Sequence, residues 1–269
     1  MDKKITDSVF SNNIRRNILK LSHKANSSHV GSSLSIVDML TVIYNKIIKA
    51  KSKIELKKNK YQLILSKGHA CLALYCALYE KKILDKKTLF SYGSDKSILM
   101  QHVSHKVPGV LFSTGSLGHG LPMGIGLALS SKLKNKNKKI FVIISDGELN
   151  EGTTWESLLF AAHHQLDNLI VIVDYNKLQS LTTVKKTLNV EPLVKKFQAF
   201  GCNAKMINGH NFNQIKRSLL IKKSKKPIVI IANTIKGKGV SFMENKIEWH
   251  YKSPNSDELQ KGLEELKNA

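Results

Sequence analysis

Apolar residues recur along this chain with two periods, and the order in which the periods alternate points to a fold class. Phe10, Ile14, Ile18 and Leu21 fall three or four apart within Val9–Leu21, the spacing of one helix face. Ser35 followed by Asp38 resembles a capping box ahead of a stripe of Ile36, Leu40, Ile43 and Ile47. Lys49–Lys60 reads as a lysine-rich connector, Tyr61–Leu65 as a short strand and Ala70–Tyr79 as a buried helix. Asp85–Pro108 lacks periodicity and is expected to be a long loop, a kind of segment that often carries function. Val110–Phe112 suggests a further strand, and the glycine-rich stretch Thr114–Gly126 leads into a helix ending near Lys132.

Beyond Lys139 the pattern sharpens. Ile140–Ile144 and Leu169–Val173 are continuous β-branched runs, as in strands buried on both faces. Between them Thr153–Gln165 reads as a helix with Leu158, Leu159 and Ala162 on its inner face, giving a right-handed βαβ unit. Ile228–Ala232 is another such strand, after a lysine-rich helix containing Ile215 and Leu219, and Ser256–Lys267 reads as one charged helix. Strands alternating with helices predict an α/β fold, a mostly parallel sheet with helices on both faces. No linker divides the chain, so residues 1–269 are expected to form a single domain.

Composition narrows the function classes. At 269 residues and 42% hydrophobic, the chain can bury a full core, and no apolar run approaches the ~18 residues of a membrane span. The start Met1-Asp2-Lys3-Lys4 has no apolar stretch before a cleavage site, which predicts an unprocessed cytoplasmic protein. Cys71, Cys76 and Cys202 have no zinc or disulfide spacing and are expected to be buried thiols. The net charge of +23 raises the question of nucleic acid, but only Arg15, Arg16 and Arg217 offer the guanidinium fork, and the lysines are scattered. Lysine-rich solvated faces are therefore expected, with no nucleic-acid or membrane partner.

In open parallel sheets, ligands bind beyond the carboxyl ends of the strands. The segments that follow the expected strands are Ser66-Lys67-Gly68-His69, Thr114-Gly115-Ser116-Leu117-Gly118-His119-Gly120, Ser145-Asp146-Gly147-Glu148, Asp174-Tyr175-Asn176 and Asn233-Thr234-Ile235-Lys236-Gly237-Lys238-Gly239. Asp146 and Asn176 end two strands joined by one crossover helix. Either residue alone suits a turn. Together, a carboxylate and an amide oxygen form a hard donor pair of the kind magnesium accepts alongside phosphates and water. Gly147 leaves room for a phosphate oxygen.

Ser145-Asp146-Gly147 through Asn176 resembles the motif of thiamine-diphosphate enzymes that begins Gly-Asp-Gly and ends Asn-Asn. Ser145 and Tyr175 depart from it, at positions that are not metal ligands. Four further segments resemble transketolase: Ser27-Ser28-His29-Val30-Gly31, Ser66-Lys67-Gly68-His69-Ala70, Thr114–Gly120, and Glu148 to Glu151 continuing to Trp155-Glu156. The likeness runs in order from about Asn12 to His250. It implies magnesium held by Asp146, Asn176 and the carbonyl of Leu178. It implies thiamine diphosphate bound by His69, Gly115, Leu117, His119, Gly147, Glu148, Glu151, Asn176 and His250. The implied catalytic set is His29, His69, His102 and His250, although Gln101-His102-Val103 departs from the family's Gly-His-Pro. His23, His105, His163, His164 and His210 are read as structural or surface histidines.

The implied reaction moves a two-carbon ketol unit from a ketose to an aldose, free or phosphorylated. Full-length transketolases are more than twice this length. The resemblance therefore implies a second chain bearing the pyrimidine-binding domain, in an α2β2 heterotetramer. Three alternatives remain at this level: one chain of a 2-oxo acid dehydrogenase, a relative of deoxyxylulose-phosphate synthase, and a non-catalytic relic of the fold.

Overall fold

The β-branched runs become the centre of a parallel sheet. The computed structural model describes residues 5–50, 52–221 and 224–267; residues 1–4, on which the expectation of a cytoplasmic start rests, lie outside the described residues. Strands β1 (Tyr61–Leu65), β2 (Lys139–Ser145), β3 (Leu169–Tyr175), β4 (Asn203–Asn208) and β5 (Ile228–Asn233) form one sheet in the order β1-β2-β3-β5-β4, all parallel. Ile143, Ile172 and Ile230 share one row across its centre, and Ile144, Val173 and Ile231 the next. Successive side chains on a strand point to opposite faces. Accordingly Ile143, Ile172 and Ile230 enter one core layer, and Ile144, Val173 and Ile231 the other.

Helices cover both faces, as the alternation predicts. One layer is closed by α1 (Asp7–Ala25), α2 (Val30–Ser35), α3 (Val37–Thr41) and α4 (Cys71–Glu80). The other is closed by α5 (Gly120–Leu133), α6 (Gly152–His163) and α7 (Leu193–Ala199). Helix α8 (Phe212–Leu219) buries Ile215 and Leu219 in the first layer, and α9 (Ser256–Glu265) lies against α1. Among the described residues no helix is long and apolar enough to cross a membrane. Cys71, Cys76 and Cys202 are buried free thiols.

Several local expectations are corrected. Val110–Phe112 is not a strand; the only pairing there among the described residues is an isolated bridge between Val103 and Thr114. Strand β4 escapes the sequence pattern because it is the sheet edge, with Asn203, Lys205 and Asn208 interrupting its apolar positions. Ser35 and Asp38 do not form a capping box: Ser35 Oγ donates to Asp174, and Asp38 accepts from Arg15. Charged tertiary partners outcompete a local backbone cap. On α6 the inward pair is Leu158 and Ala161 rather than Leu158, Leu159 and Ala162. Leu159 (56% exposed) and Phe160 (44%) instead face outward.

Candidate active site

The loops that leave the carboxyl ends of β1, β2, β3 and β5 converge on one pocket. It is lined by residues from the expected segments, His69, Gly115, Leu117, Asp146, Gly147, Asn176 and Leu178 among them. Its volume of about 270 Å³ is close to the 260 Å³ of a cavity elsewhere, against Tyr44 and Tyr61, so size alone does not mark it. What marks it is chemistry. Close approach of the loops depends on Gly68, where a Cβ would stand 2.2 Å from the Thr114 carbonyl oxygen.

Four histidines face one another in this pocket. The ring of His29 lies 5.2 Å from His69, 5.8 Å from His102 and 5.0 Å from His250, centroid to centroid. His29 is held at φ 70°, a left-handed conformation unfavourable for a side-chain-bearing residue, with its N–H donating to the His250 carbonyl at 2.8 Å. Burial, then the positive field of His102, Lys236 and Lys67, lowers the His29 pKa to about 4. Burial followed by Lys236 and His29 lowers His250 to about 3, and His69 is likewise held well below its usual value by burial and Lys67. These three rings are neutral at pH 7, so each offers one donor and one acceptor nitrogen.

Beneath the histidines lies a charged floor. Asp174 is fully buried and accepts from Lys67 Nζ (2.5 Å), Ser35 Oγ (2.6 Å) and Asn176 Nδ2 (3.1 Å) through one oxygen and from Thr234 Oγ1 (2.5 Å) through the other. Burial alone would raise its pKa, but the Lys67 charge and hydrogen bond outweigh that and lower it. Because a carboxylate only accepts, Asp174 fixes which way the Asn176 amide points, leaving Oδ1 toward the Leu178 N–H at 3.0 Å. Asp146 is different. Its Oδ2 accepts only from the Lys177 N–H (2.7 Å), and among the described residues no cation pairs with it. Burial, reinforced by the Asp174 charge, pushes its carboxyl up to about 7.

Lys236 completes the wall. Its Nζ lies 2.9 Å from His250 Nδ1 and donates to the carbonyls of Gln179 (3.0 Å) and Leu178 (3.4 Å). Burial and the neighbouring Lys67 lower its pKa to about 8, against the pull of Asp146 and Asp174. Among the described residues, the buried donor Gln179 Nε2 has no partner. The sequence pattern did not single out Lys67, Lys236, Asp174 or Gln179 for chemistry. Lysines are too common here to stand out, although the positions of Lys67 and Lys236, in the loops after β1 and β5, were a usable signal.

Three expected cofactor residues lie elsewhere. His119 is exposed, with Nδ1 at 3.0 Å from the Leu117 carbonyl; Glu151 is exposed at the start of α6. Glu148 is buried behind the pocket, where it accepts from Ser66 Oγ, the Gly118 N–H (3.0 Å) and the Ser145 N–H (2.8 Å). It ties three site loops to one another, and burial raises its pKa. The two motif departures also have partners: Ser145 Oγ accepts from the Glu148 N–H (3.3 Å), and Tyr175 donates to Glu191 (2.6 Å).

Comparison with known proteins decides the family. The model of the transketolase thiamine diphosphate binding domain matches residues 6–266. The chain belongs to the transketolase family. It is 43% identical over 260 residues to an apulose-4-phosphate transketolase subunit from Actinobacillus succinogenes, covering 95% of this chain and 94% of that protein. It is 37% identical to the 6-deoxy-6-sulfo-D-fructose transketolase subunit SqwG of a Clostridium species, covering 89% and 88%. Its fold matches the transketolase crystal structure from Campylobacter jejuni with a TM-score of 0.89 at 29% identity, covering 99% of this chain but 43% of that one. The chain thus spans nearly all of the relatives named as subunits and about two fifths of the Campylobacter transketolase chain.

Proposed function

We propose that this chain is the cofactor-binding subunit of a two-chain transketolase, which transfers a two-carbon ketol unit from a ketose or its phosphate to an aldose or its phosphate. The observation that carries the reading is Asp146, a buried carboxylate without a cation, set beside Asn176 beneath a ring of neutral histidines. A buried charge without a partner is costly. A magnesium ion at Asp146, the Asn176 amide oxygen and the Leu178 carbonyl would answer that cost, with diphosphate oxygens supplying further ligands. Among the described residues no three His, Cys, Asp or Glu side chains converge on a metal position, so these other donors are needed.

The remaining groups fit thiamine diphosphate. Lys236 and Lys67 provide positive charge beside the diphosphate position, and His69, His250 and Gln179 Nε2 provide hydrogen bonds there. Gly115 and Leu117 would meet the aminopyrimidine, and Gly147 leaves the backbone clear. His119, Glu148 and Glu151 then serve the cofactor by shaping its loops or by meeting the partner. When bound, thiamine diphosphate supplies a carbon nucleophile and an electron sink for cleavage of a ketose carbon–carbon bond. The neutral rings of His29 and His250, with His102 beside them, orient sugar hydroxyls and shuttle their protons. The cationic wall stabilises oxyanion charge as it develops.

A second chain carrying the pyrimidine-binding domain supplies what residues 1–269, read as a single diphosphate-binding domain, do not. The names of the relatives as subunits support this, as do the outward-facing apolar neighbours Leu159 and Phe160. The assembly would be α2β2, in the cytoplasm, with no nucleic-acid partner. The test is consumption of a ketose donor with thiamine diphosphate and magnesium, by this chain alone and with its partner. Turnover only in the mixture is expected; turnover by this chain alone would sink the two-chain reading.

A further inference from the structure

His210 does not line the pocket, yet it is bonded to the loop that does. It lies in the turn after β4, with Nδ1 2.8 Å from Asp38 Oδ2, while Nε2 accepts from the Ile235 N–H at 2.8 Å. Asp38 is buried and also accepts from Arg15 Nη2 at 2.7 Å. Burial would raise the Asp38 pKa, but the His210 hydrogen bond and the Arg15 charge outweigh it and hold the group ionised. An ionised carboxylate can only accept and a backbone N–H can only donate, so His210 is fixed as the neutral Nδ1–H tautomer. From the same cluster, Arg15 Nε donates to the Lys238 carbonyl at 3.1 Å. Residues 235 and 238 are therefore gripped on either side of Lys236 by one polar cluster anchored on α1 and α3.

Lys236 cannot choose its direction alone. It is a long, flexible side chain that ends inside the pocket, and its amine must be aimed at His250 and the 178–179 carbonyls. Fixing the backbone on both sides removes the freedom that would let it swing. Hydrogen bonds one layer behind a working group are how a rigid scaffold orients it.

We propose that His210 is a positioning residue for the cofactor: through Ile235 it sets the 235–238 loop so that Lys236 is presented to the diphosphate. This rests on the cofactor reading given above and adds a residue to it that touches neither cofactor nor substrate.

The test is titration of thiamine diphosphate, with magnesium, into this chain assembled with its partner. His210→Asn keeps a donor toward Asp38 but cannot reach Ile235. Loss of one hydrogen bond to a buried N–H predicts about 10-fold weaker cofactor binding. Turnover at saturating cofactor should fall by less than the affinity does, because His210 reaches the reacting groups only through Lys236. Lys236→Met, which deletes only the amine, should weaken binding at least as much, and adding His210→Asn to it should weaken binding no further. Unchanged affinity in His210→Asn overturns the proposal, and so does an equal loss in both backgrounds, which marks a merely structural residue. If the unaltered protein does not bind thiamine diphosphate, the cofactor reading falls and this one with it. If it binds and Lys236→Met binds equally well, the cofactor reading stands and the role of His210 is overturned. Where His210→Asn fails to fold, nitrogen-15 spectra of the unaltered protein decide. The Nδ1–H tautomer with a protected Ile235 amide supports the proposal, and the Nε2–H tautomer overturns it.

Discussion

Asp146 carries a stability cost that the proposed metal would remove. Its carboxylate is buried with one N–H as partner, and its pKa is raised to about 7. Asp146→Asn should therefore leave the ligand-free chain as stable or more so, by about 1 kcal/mol or about 2–4 °C in Tm. It should also abolish the magnesium dependence of cofactor binding; calorimetry with and without both ligands checks the pair of outcomes. The histidines set a second dependence. His29 and His250 titrate near 4 and 3 when folded, against 6.5 for an unperturbed ring. Below pH 6.5 the unfolded chain takes up protons that the folded rings refuse, so stability is fully present above 6.5 and falls as pH drops toward 4. Denaturant midpoints across pH 4–8 should show this slope, and it should flatten in the double variant His29→Asn, His250→Asn. At this scale the motifs made His29, His69, Asp146 and Asn176 legible. Asp174 and Lys236 were not, because their importance lies in what they touch. His210 was set aside because nothing in its neighbouring sequence reveals Asp38 on one side of its ring and Ile235 on the other.

Helix α5 lies close against the sheet at one point. A Cβ on Gly124 would come within 2.4 Å of Val142 Cγ2 on β2, whereas one on Gly126 meets nothing within 4 Å. Gly124→Ala should destabilise the chain by about 1–3 kcal/mol through overpacking. Gly126→Ala, two residues away, should stabilise it by about 0.5–1 kcal/mol through helix propensity. Chemical denaturation of the two variants gives the comparison, and equal effects would show that α5 can slide on the sheet. The central strands were legible because two-sided burial demands unbroken Ile and Val, as in β2 and β3. Edge strand β4 needs only one apolar side, and its remaining positions look like a loop. The inner face of α6, expected at Leu158, Leu159 and Ala162, was misplaced because Leu159 is apolar but points outward. Periodicity cannot separate a core-facing face from one awaiting a partner.

For the whole molecule, the proposed two-chain assembly can be probed at the outward side chains of α6. Leu159→Glu and Phe160→Glu alter exposed side chains, so the thermal midpoint of this chain should change little. In the proposed assembly, co-purification with the partner and turnover in the mixture should both fall sharply, since a charge buried against the partner would be left unpaired. Normal assembly of both variants would place the partner on another surface. One further consequence follows from the bond between the His29 N–H and the His250 carbonyl. It stitches together parts of the chain separated by most of its length, and the pocket lies at that seam. A chain emerges from the ribosome with its amino end first, so the seam closes only after the last strand and the segment beyond it have been made. Contacts so distant in sequence form late and slowly. Capture of a ligand at the seam can stabilise only a fold in which both of its sides are in place, so ligand binding would report that the seam has closed.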